Sequence, residues 1–456
     1  LGQSFPDLWQ LRRGQVPAYP DAVLFPSTPV EVQKVLAVAS REGIAVIPRG
    51  GGTSVVGGVS VPADPRPKVV LSLEKLAGLV SLDGRSGLAT FLAGTPGPEV
   101  EKALSASGFC LGHEPQSWAL STVGGWVATR SAGHRSTALG KIEDLLAGVE
   151  VALPEGFWCL PPQPASAMGP EWRRLICGSE GKLGVITTAT LRVRPSRKED
   201  PGVAFLLPSF PAGLEACRAL LQEGLVPEVL RLSDGEETAL AMRAAPRGPL
   251  ASLAQKLLFS LRRFSQGSLL LVGFGNLPGK GRQLRRLLRA HGGLPLGSAP
   301  WALWKRDRFI HPYFRDFFLT AGYGVDTFET AAPWSALERL WVGVKRALAE
   351  VAAQLEQQVL VLAHLSHAYG DGACLYFTFF WPLRGEEALA HWQQYKAASV
   401  EALLAAGGTV SHHHGVGRLH APYWPKEVGE QGVRALRAMA QSLDPQGILN
   451  PGVFGL

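Results

Sequence analysis

Four stretches of the chain combine residue types that could bind or transform a ligand. The first is Pro48-Arg49-Gly50-Gly51-Gly52-Thr53-Ser54. Consecutive glycines cost backbone entropy and pack nothing, so a run directly after a strand usually serves close backbone approach. That could be a nest of N–H groups around a phosphate or pyrophosphate, or an ordinary tight turn. No Gly-x-Gly-x-x-Gly opens a helix here and no Gly-Lys-Ser/Thr follows, which excludes the dinucleotide fingerprint and the P-loop. The second stretch runs from Gly112-His113-Glu114-Pro115-Gln116-Ser117-Trp118-Ala119-Leu120 through Ser121-Thr122-Val123-Gly124-Gly125-Trp126 to Thr129-Arg130-Ser131-Ala132-Gly133. It reads as a long polar loop, and such loops inside compact domains tend to be functional. A shorter one, Gly178-Ser179-Glu180-Gly181-Lys182-Leu183-Gly184, precedes a strong strand pattern. The fourth stretch is Ser411-His412-His413-His414-Gly415. On a strand His412 and His414 would share a face and His413 would point away. Imidazoles suit a transition metal or proton transfer, and no third histidine or carboxylate stands at fixed spacing to close a metal set.

Regular elements must hold these stretches. Thr28, Pro29 and Glu31 form a capping box ahead of the stripe Val32, Val35, Leu36 and Ala39, and Gly43 stops that helix. Strands are expected at 44–47, 69–73, 89–93, 142–151 and 185–193, with a helix over 98–107. The charged, proline-bearing 195–202 reads as a domain boundary. Beyond it, 203–207, 212–222 and 229–232 read as strand, helix, strand, and 268–274 with 281–290 as a second such unit. Long helices follow over 334–359 and 386–406, an apolar strand over 376–380, and a helix over 433–442.

The chain has 456 residues, enough for two or three domains. Its 46% apolar and 18% charged residues exclude disorder as the main state. The 53 glycines and 34 prolines without a Gly-x-y period imply many loops rather than a fibrous chain. Five cysteines without metal spacing argue against a disulfide framework or a zinc ribbon and point to a reducing compartment. The net charge of +7 favours anionic ligands or membrane surfaces and is too mild to imply nucleic acid. The first thirteen residues lack a signal peptide's apolar stretch. No apolar run approaches the length of a membrane span, so a soluble, cytoplasmic, at most peripheral protein is expected. Leu250, Leu253, Leu257, Leu258, Leu261 and Phe264 line one face of an expected helix whose Lys256, Arg262 and Arg263 lie off it. Such a helix either packs on a core or lies on a membrane surface.

The glycine-rich segments, in this order, resemble the flavin-binding domain of the vanillyl-alcohol oxidase/p-cresol methylhydroxylase (PCMH) superfamily. The likeness is much denser to one branch, the alkyldihydroxyacetonephosphate (alkylglycerone-phosphate) synthase family. It rests on Ile47-Pro48-x-Gly50-Gly51-Gly52-Thr53-Ser54, Gly112-His113-Glu114-Pro115-x-Ser117, Ser121-Thr122-Val123-Gly124-Gly125-Trp126-Val127 and Gly178-Ser179-Glu180-Gly181-x-Leu183-Gly184-Val185-Ile186-Thr187. It continues through Phe328-Glu329-Thr330-x-Ala332-Pro333-Trp334, Asp371-x-Ala373-Cys374-x-Tyr376-Phe377 and Ser411-His412-His413-His414-Gly415-Val416-Gly417, spanning residues 20 to 447. The fold implied is α+β: a two-subdomain PCMH-type FAD-binding domain over 1–197 and an α+β cap domain over 198–407. The cap would hold an antiparallel sheet flanked by helices, and 408–456 would return to complete the site.

The resemblance implies FAD held by Pro48, Arg49, Gly50, Gly51, Gly52, Thr53 and Ser54, by Gln116, Ser117, Trp118, Ala119, Leu120, Ser121 and Thr122, by Thr129, Arg130, Ser131 and Ala132, and by residues 178–184. Thr53 stands where covalently flavinylated relatives carry the attaching histidine, so the FAD is expected to be non-covalent. The activity implied is redox-neutral: the acyl chain of acyl-dihydroxyacetone phosphate is exchanged for a long-chain alcohol, with the flavin N5 as electrophile. Tyr376 matches the family's acid/base tyrosine, His412, His413 and His414 its histidine run serving as a proton relay, and Arg315 its phosphate-binding arginine. Arg231 and His113 match further site residues, each with a structural alternative. No metal is expected. The partners implied are a lipid-like phosphorylated substrate and alcohol, a second copy of the chain as a homodimer, and peripheral membrane contact. The composition looks bacterial. The rival is an FAD-dependent 2-hydroxy-acid dehydrogenase of the lactate or glycolate type. Those enzymes carry Glu-His-Gly where this chain has His413-His414-Gly415. They also carry a His-x-Gly-Asp-Gly-Asn-x-His metal motif, of which His367-Ala368-Tyr369-Gly370-Asp371-Gly372-Ala373-Cys374 keeps only part.

Overall fold

The computed structural model describes residues 1–197, 199–244, 264–310 and 314–456. The amphipathic helix expected around 250–264 lies outside the described residues except for Phe264. Contacts divide the chain into two units. One comprises residues 1–133, 139–196 and 413–456, the other 134–138 and 197–412.

The first unit holds ten strands: β1 (Ala22–Leu24), β2 (Ala45–Arg49), β3 (Lys68–Ser72), β4 (Leu79–Asp83), β5 (Leu88–Leu92), β6 (Phe109–Cys110), β7 (Leu146–Leu153), β8 (Gly156–Leu160), β9 (Val185–Arg192) and β10 (Arg194–Pro195). A small parallel sheet runs β1-β3-β2, and a five-stranded antiparallel sheet runs β4-β5-β9-β7-β8. The helix Pro29–Glu42 begins at the capping box of Thr28 and Glu31 and stops at Gly43, whose φ of 66° suits glycine. Its Val32, Leu36 and Ala39 enter a core shared with Phe91, Val149 and Ile186. The C-terminal segment closes this unit: Leu449 bridges Val46 on β2, and Ile448 and Leu449 are fully buried.

Two local expectations are corrected here. The polar stretch 112–133 is not one continuous loop, because it contains the helix Val123–Thr129. The Thr122 hydroxyl accepts from the Gly125 amide as its N-cap, and Val123, Trp126 and Val127 point into the core. The cap and this apolar stripe outweigh the helix cost of two glycines. One of them is required: a Cβ on Gly124 would lie 2.7 Å from the Cβ of Ala93. The strand expected from 142 opens instead with a helical turn, Ile142–Leu145, before β7.

Among the described residues the second unit is built on seven strands: β11 (Gly202–Leu207), β12 (Val229–Ser233), β13 (Ser268–Gly273), β14 (Leu294–Gly297), β15 (Tyr323–Pro333), β16 (Leu360–Ala368) and β17 (Gly372–Pro382). They run β14-β11-β13-β12-β16-β17-β15, every adjacent pair antiparallel. The expected strand-helix-strand unit is present but split: β11 and β12, joined by the helix Phe210–Gln222, both pair with β13 inserted between them. The helices Trp334–Gln354 and Ala388–Ala405 pack on each other. The first ends at Gln354 rather than at 359, the chain turning through Glu356 at φ 50° ahead of β16. The face of β15 and β17 turned to these helices is aromatic. Phe328, Phe377, Phe379 and Trp381 are buried there, and Asp326 accepts from Trp392 Nε1 at 2.7 Å. Strand alternation sends the intervening residues to the opposite face. No described helix is long and apolar enough to cross a membrane.

Candidate functional site

In the first unit the glycine-rich segments converge on one cleft. Pro48, Arg49, Gly50 and Ser54 line it from the end of β2, Gly124, Gly125 and Thr129 from the capped helix, and Glu180, Gly181 and Gly184 from the turn before β9. The run at 50–52 serves close approach between two loops. A Cβ on Gly51 would overlap the Leu120 carbonyl, and one on Gly50 the Thr122 hydroxyl. Residues 116–120 form a turn beside this contact and do not line the cleft; Ser121 accepts from Trp126 Nε1 at 2.8 Å. Arg130, with φ 53°, caps the helix and donates to Glu143 at 2.9 Å. Ala132 and Leu183 are buried.

Charged groups lock the C-terminal segment to the cleft. Glu180 accepts from the Val416 amide at 2.6 Å and the Gly417 amide at 2.9 Å. Burial pushes its carboxyl up to about 7, against the pull of those amides and of Arg418. Lys182 Nζ donates to the Leu449 and Leu456 carbonyls, both at 3.1 Å, and burial pushes the amine down to about 8. Asn450 donates to the carbonyls of Gly58 at 3.0 Å and Glu180 at 2.7 Å, and itself lines the cleft. Sequence reasoning did not single out Asn450. Gly58 and Ala128 also line the cleft without having been singled out. The cleft suits a dinucleotide: its wall is largely backbone and small side chains. Ser179, next to the lining pair Glu180–Gly181, keeps a buried hydroxyl with no partner among the described residues. His113 lies apart from it. Its Nε2 bonds Ser131 Oγ at 2.6 Å, its ring meets Trp126 edge-on, and burial pushes its pKa down to about 3, so it is neutral.

The second cluster lies on the polar face of the seven-stranded sheet. Register places Ser233, His364, Tyr376 and Glu329 side by side across β12, β16, β17 and β15. Directly opposed residues share a face, so four polar side chains stand in one row. Tyr376 stacks on His364, ring centres 5.1 Å apart. Burial raises its phenol to about 12, while Thr327 and the positive charge of Arg315 pull the other way. Arg231 donates to Glu237 at 2.6 Å and reaches His364 Nδ1 at 3.2 Å, and His364 Nδ1 lies 2.8 Å from the other Glu237 oxygen. Burial alone would raise the Glu237 carboxyl, but His364 and Arg231 hold it well below the usual range.

Glu329 fixes the start of the histidine run, accepting from the Ser411 hydroxyl at 2.8 Å and from the His412 amide. His412 Nε2 shares a 2.6 Å hydrogen bond with the Tyr369 hydroxyl, and its ring stacks at 5.2 Å on His367, which bonds Ser136 Oγ at 2.6 Å. Residues 412–414 are a bend rather than a strand, so strand alternation does not govern the run. His412 belongs to the second unit, while His413 and His414 belong to the first, where their rings meet edge to face at 4.6 Å. His134 sits between Trp304 and Phe309, and burial keeps its imidazole well below its ordinary pKa. Sequence reasoning missed His134, Glu237, His364 and Tyr369 as site members. The pair His364 and His367 three apart in β16 was the available signal.

The FAD binding domain family matches residues 20–159, and the C-terminal domain of the FAD linked oxidases matches residues 198–454. The chain is 33% identical to an alkyldihydroxyacetonephosphate synthase of Trypanosoma brucei brucei over 99% of its own length and 76% of that protein's. It is 32% identical to the synthase of Dictyostelium discoideum, with the same two coverages. A solved alkyldihydroxyacetonephosphate synthase structure superposes with a TM-score of 0.85 at 29% identity, over 99% of this chain and 80% of that one. A glycolate oxidase subunit of Bacillus subtilis, at 24%, and a mitochondrial D-lactate dehydrogenase of Arabidopsis thaliana, at 25%, are more distant. The chain is an FAD enzyme, and it belongs to the alkyldihydroxyacetonephosphate synthase family.

Proposed function

We propose that this protein exchanges the acyl chain of an acyl-dihydroxyacetone phosphate for a long-chain alcohol, giving an alkyl-dihydroxyacetone phosphate and a fatty acid. One alcohol enters, one carboxylic acid leaves, and no net electrons move. FAD, bound non-covalently in the cleft of the first unit, supplies an electrophilic carrier for the headgroup. The observation that carries the reading is the polar row of the second unit, with Tyr376 at its centre. With its pKa raised to about 12 the phenol is protonated at neutral pH, so it enters as a proton donor. His364 and Arg231, tied to Glu237, hold the face on which it stands. Arg315, whose charge is felt at Tyr376, is the proposed phosphate contact, a task suited to a planar guanidinium. His412, fixed by Glu329 and Tyr369, is the proposed relay partner, with His413 and His414. The same reading proposes a homodimer with peripheral membrane contact.

The test is to incubate the flavin-loaded protein with acyl-dihydroxyacetone phosphate and a long-chain alcohol, without an electron acceptor, and to look for the ether by mass spectrometry. Ether formed with the flavin still oxidised is the expected result. No ether, together with flavin bleached by lactate or glycolate, overturns the proposal in favour of a 2-hydroxy-acid dehydrogenase.

A further inference from the structure

A second cavity, of about 630 Å³, opens at the β14 edge of the second unit's sheet, whereas Tyr376 stands on β17 near the other edge. Glycines carve its floor. A Cβ on Gly202 or Gly273 would collide with the indole of Trp301, so glycine at these positions of β11 and β13 lets that ring lie directly on the sheet. Trp301 is buried, with Ala204, Val229 and Leu271 beneath it. The β11–β14 ladder slips between Ala204 and Phe205, and Phe205 faces Pro295, which has no amide to donate. The wall is therefore aromatic and poor in backbone donors, with Phe205, Phe274, Pro295 and Trp301 along it.

The rim has the opposite character. Arg285 and Arg289 project into the cavity from the helix Gly281–Ala290, one turn apart. That helix also carries Arg282 and Arg286 and has no acidic residue, and Lys280 precedes it. All four arginines are exposed, while Leu284, Leu287 and Leu288 are buried. Like charges three and four residues apart destabilise a helix. Among the described residues none of these five cations has an ion-pair partner. Asp200, a carboxylate lining the cavity, is already engaged by Arg135 and Lys305, each at 2.8 Å. The arrangement lacks a counter-charge at the rim and offers apolar wall behind it.

We propose that this cavity binds an anionic amphiphile, with its carboxylate or phosphate held by Arg285 and Arg289 and its alkyl chain laid against Phe274, Pro295 and the edge of Trp301. A long-chain carboxylate and an alkyl phosphate share this chemistry. The proposal does not depend on the reaction assigned to Tyr376.

Calorimetric titration of the flavin-loaded, full-length protein tests this, using dodecanoate and dodecyl phosphate below their micelle concentrations and acetate and inorganic phosphate as short counterparts. At least one dodecyl anion is expected to bind at least tenfold more tightly than its short counterpart. The double variant Arg285→Gln/Arg289→Gln, both positions exposed, is expected to lose that binding at least tenfold while keeping its melting temperature and flavin content. Preference for one dodecyl anion identifies the head group, and either preference supports the site. Equal affinity in the double variant, equal affinity for the short anions, or no binding of either dodecyl anion overturns it.

Discussion

Replacing Glu237 by alanine should destabilise the second unit by about 3–5 kcal/mol at neutral pH, the range for removing one partner of a buried ion pair. Glu237 bonds Arg231 at 2.6 Å and His364 at 2.8 Å, and the side chains of all three are at most 21% exposed. Without the carboxylate, Arg231 Nη2 keeps only His364 Nδ1 at 3.2 Å among these contacts, so a guanidinium is left with an imidazole for company. The pH dependence follows from the lowered carboxyl pKa. A carboxyl depressed in the folded state adds stability that is fully present above its unfolded value, roughly pH 4.3, and is lost as pH falls through the folded value. The deficit of the variant should therefore be largest at neutral pH and shrink under acid. The assay is thermal or urea denaturation of wild type and variant from neutral to strongly acidic pH. For a unit of this size each kcal/mol shifts the melting temperature by roughly 2–4 °C. A loss below about 1 kcal/mol at neutral pH, the value of an exposed pair, would refute the reasoning, as would a deficit that stays constant into acid.

Tyr376→Phe removes only the hydroxyl of a side chain stacked on His364, so flavin content should be kept while turnover falls about 10²–10⁴-fold, as measured by ether formation. Arg315→Ala should raise KM for the phosphorylated substrate by about tenfold or more and leave flavin absorbance unchanged, consistent with losing a charge-assisted contact worth roughly 1.5–3 kcal/mol. Gly51→Ala drives a methyl into the Leu120 carbonyl, so the two loops must part. The purified variant should lose bound flavin and should melt earlier than wild type. Heat or acid should release the wild-type flavin into the supernatant, whereas colour retained in the washed pellet would reveal a covalent link.

The parts of the site legible in the sequence are those set by local rules. The Thr28–Glu31 box and Gly43 bound their helix because capping and left-handed backbone are decided within a few residues. The glycine run was recognisable as a place of close approach for the same reason, but its counterpart was not. Only the fold shows that the 120–122 loop occupies the space a Cβ would need. The polar row across the sheet was illegible because it is a product of long-range register. Tyr376 faces His364 and Glu329 through pairings across β16 and β15, and a one-residue slip would turn it to the aromatic face. Inserting β13 between β11 and β12 is likewise invisible in a strand-helix-strand pattern, which is the same whether the two strands are neighbours or not. Glu237 shows the consequence for site prediction. In the sequence it is one of two adjacent glutamates near the start of a helix, the usual place for acids. Antiparallel pairing of β12 with β16 brings Arg231 and His364 to the same carboxylate, and so turns one of those two ordinary positions into the anchor of the polar face.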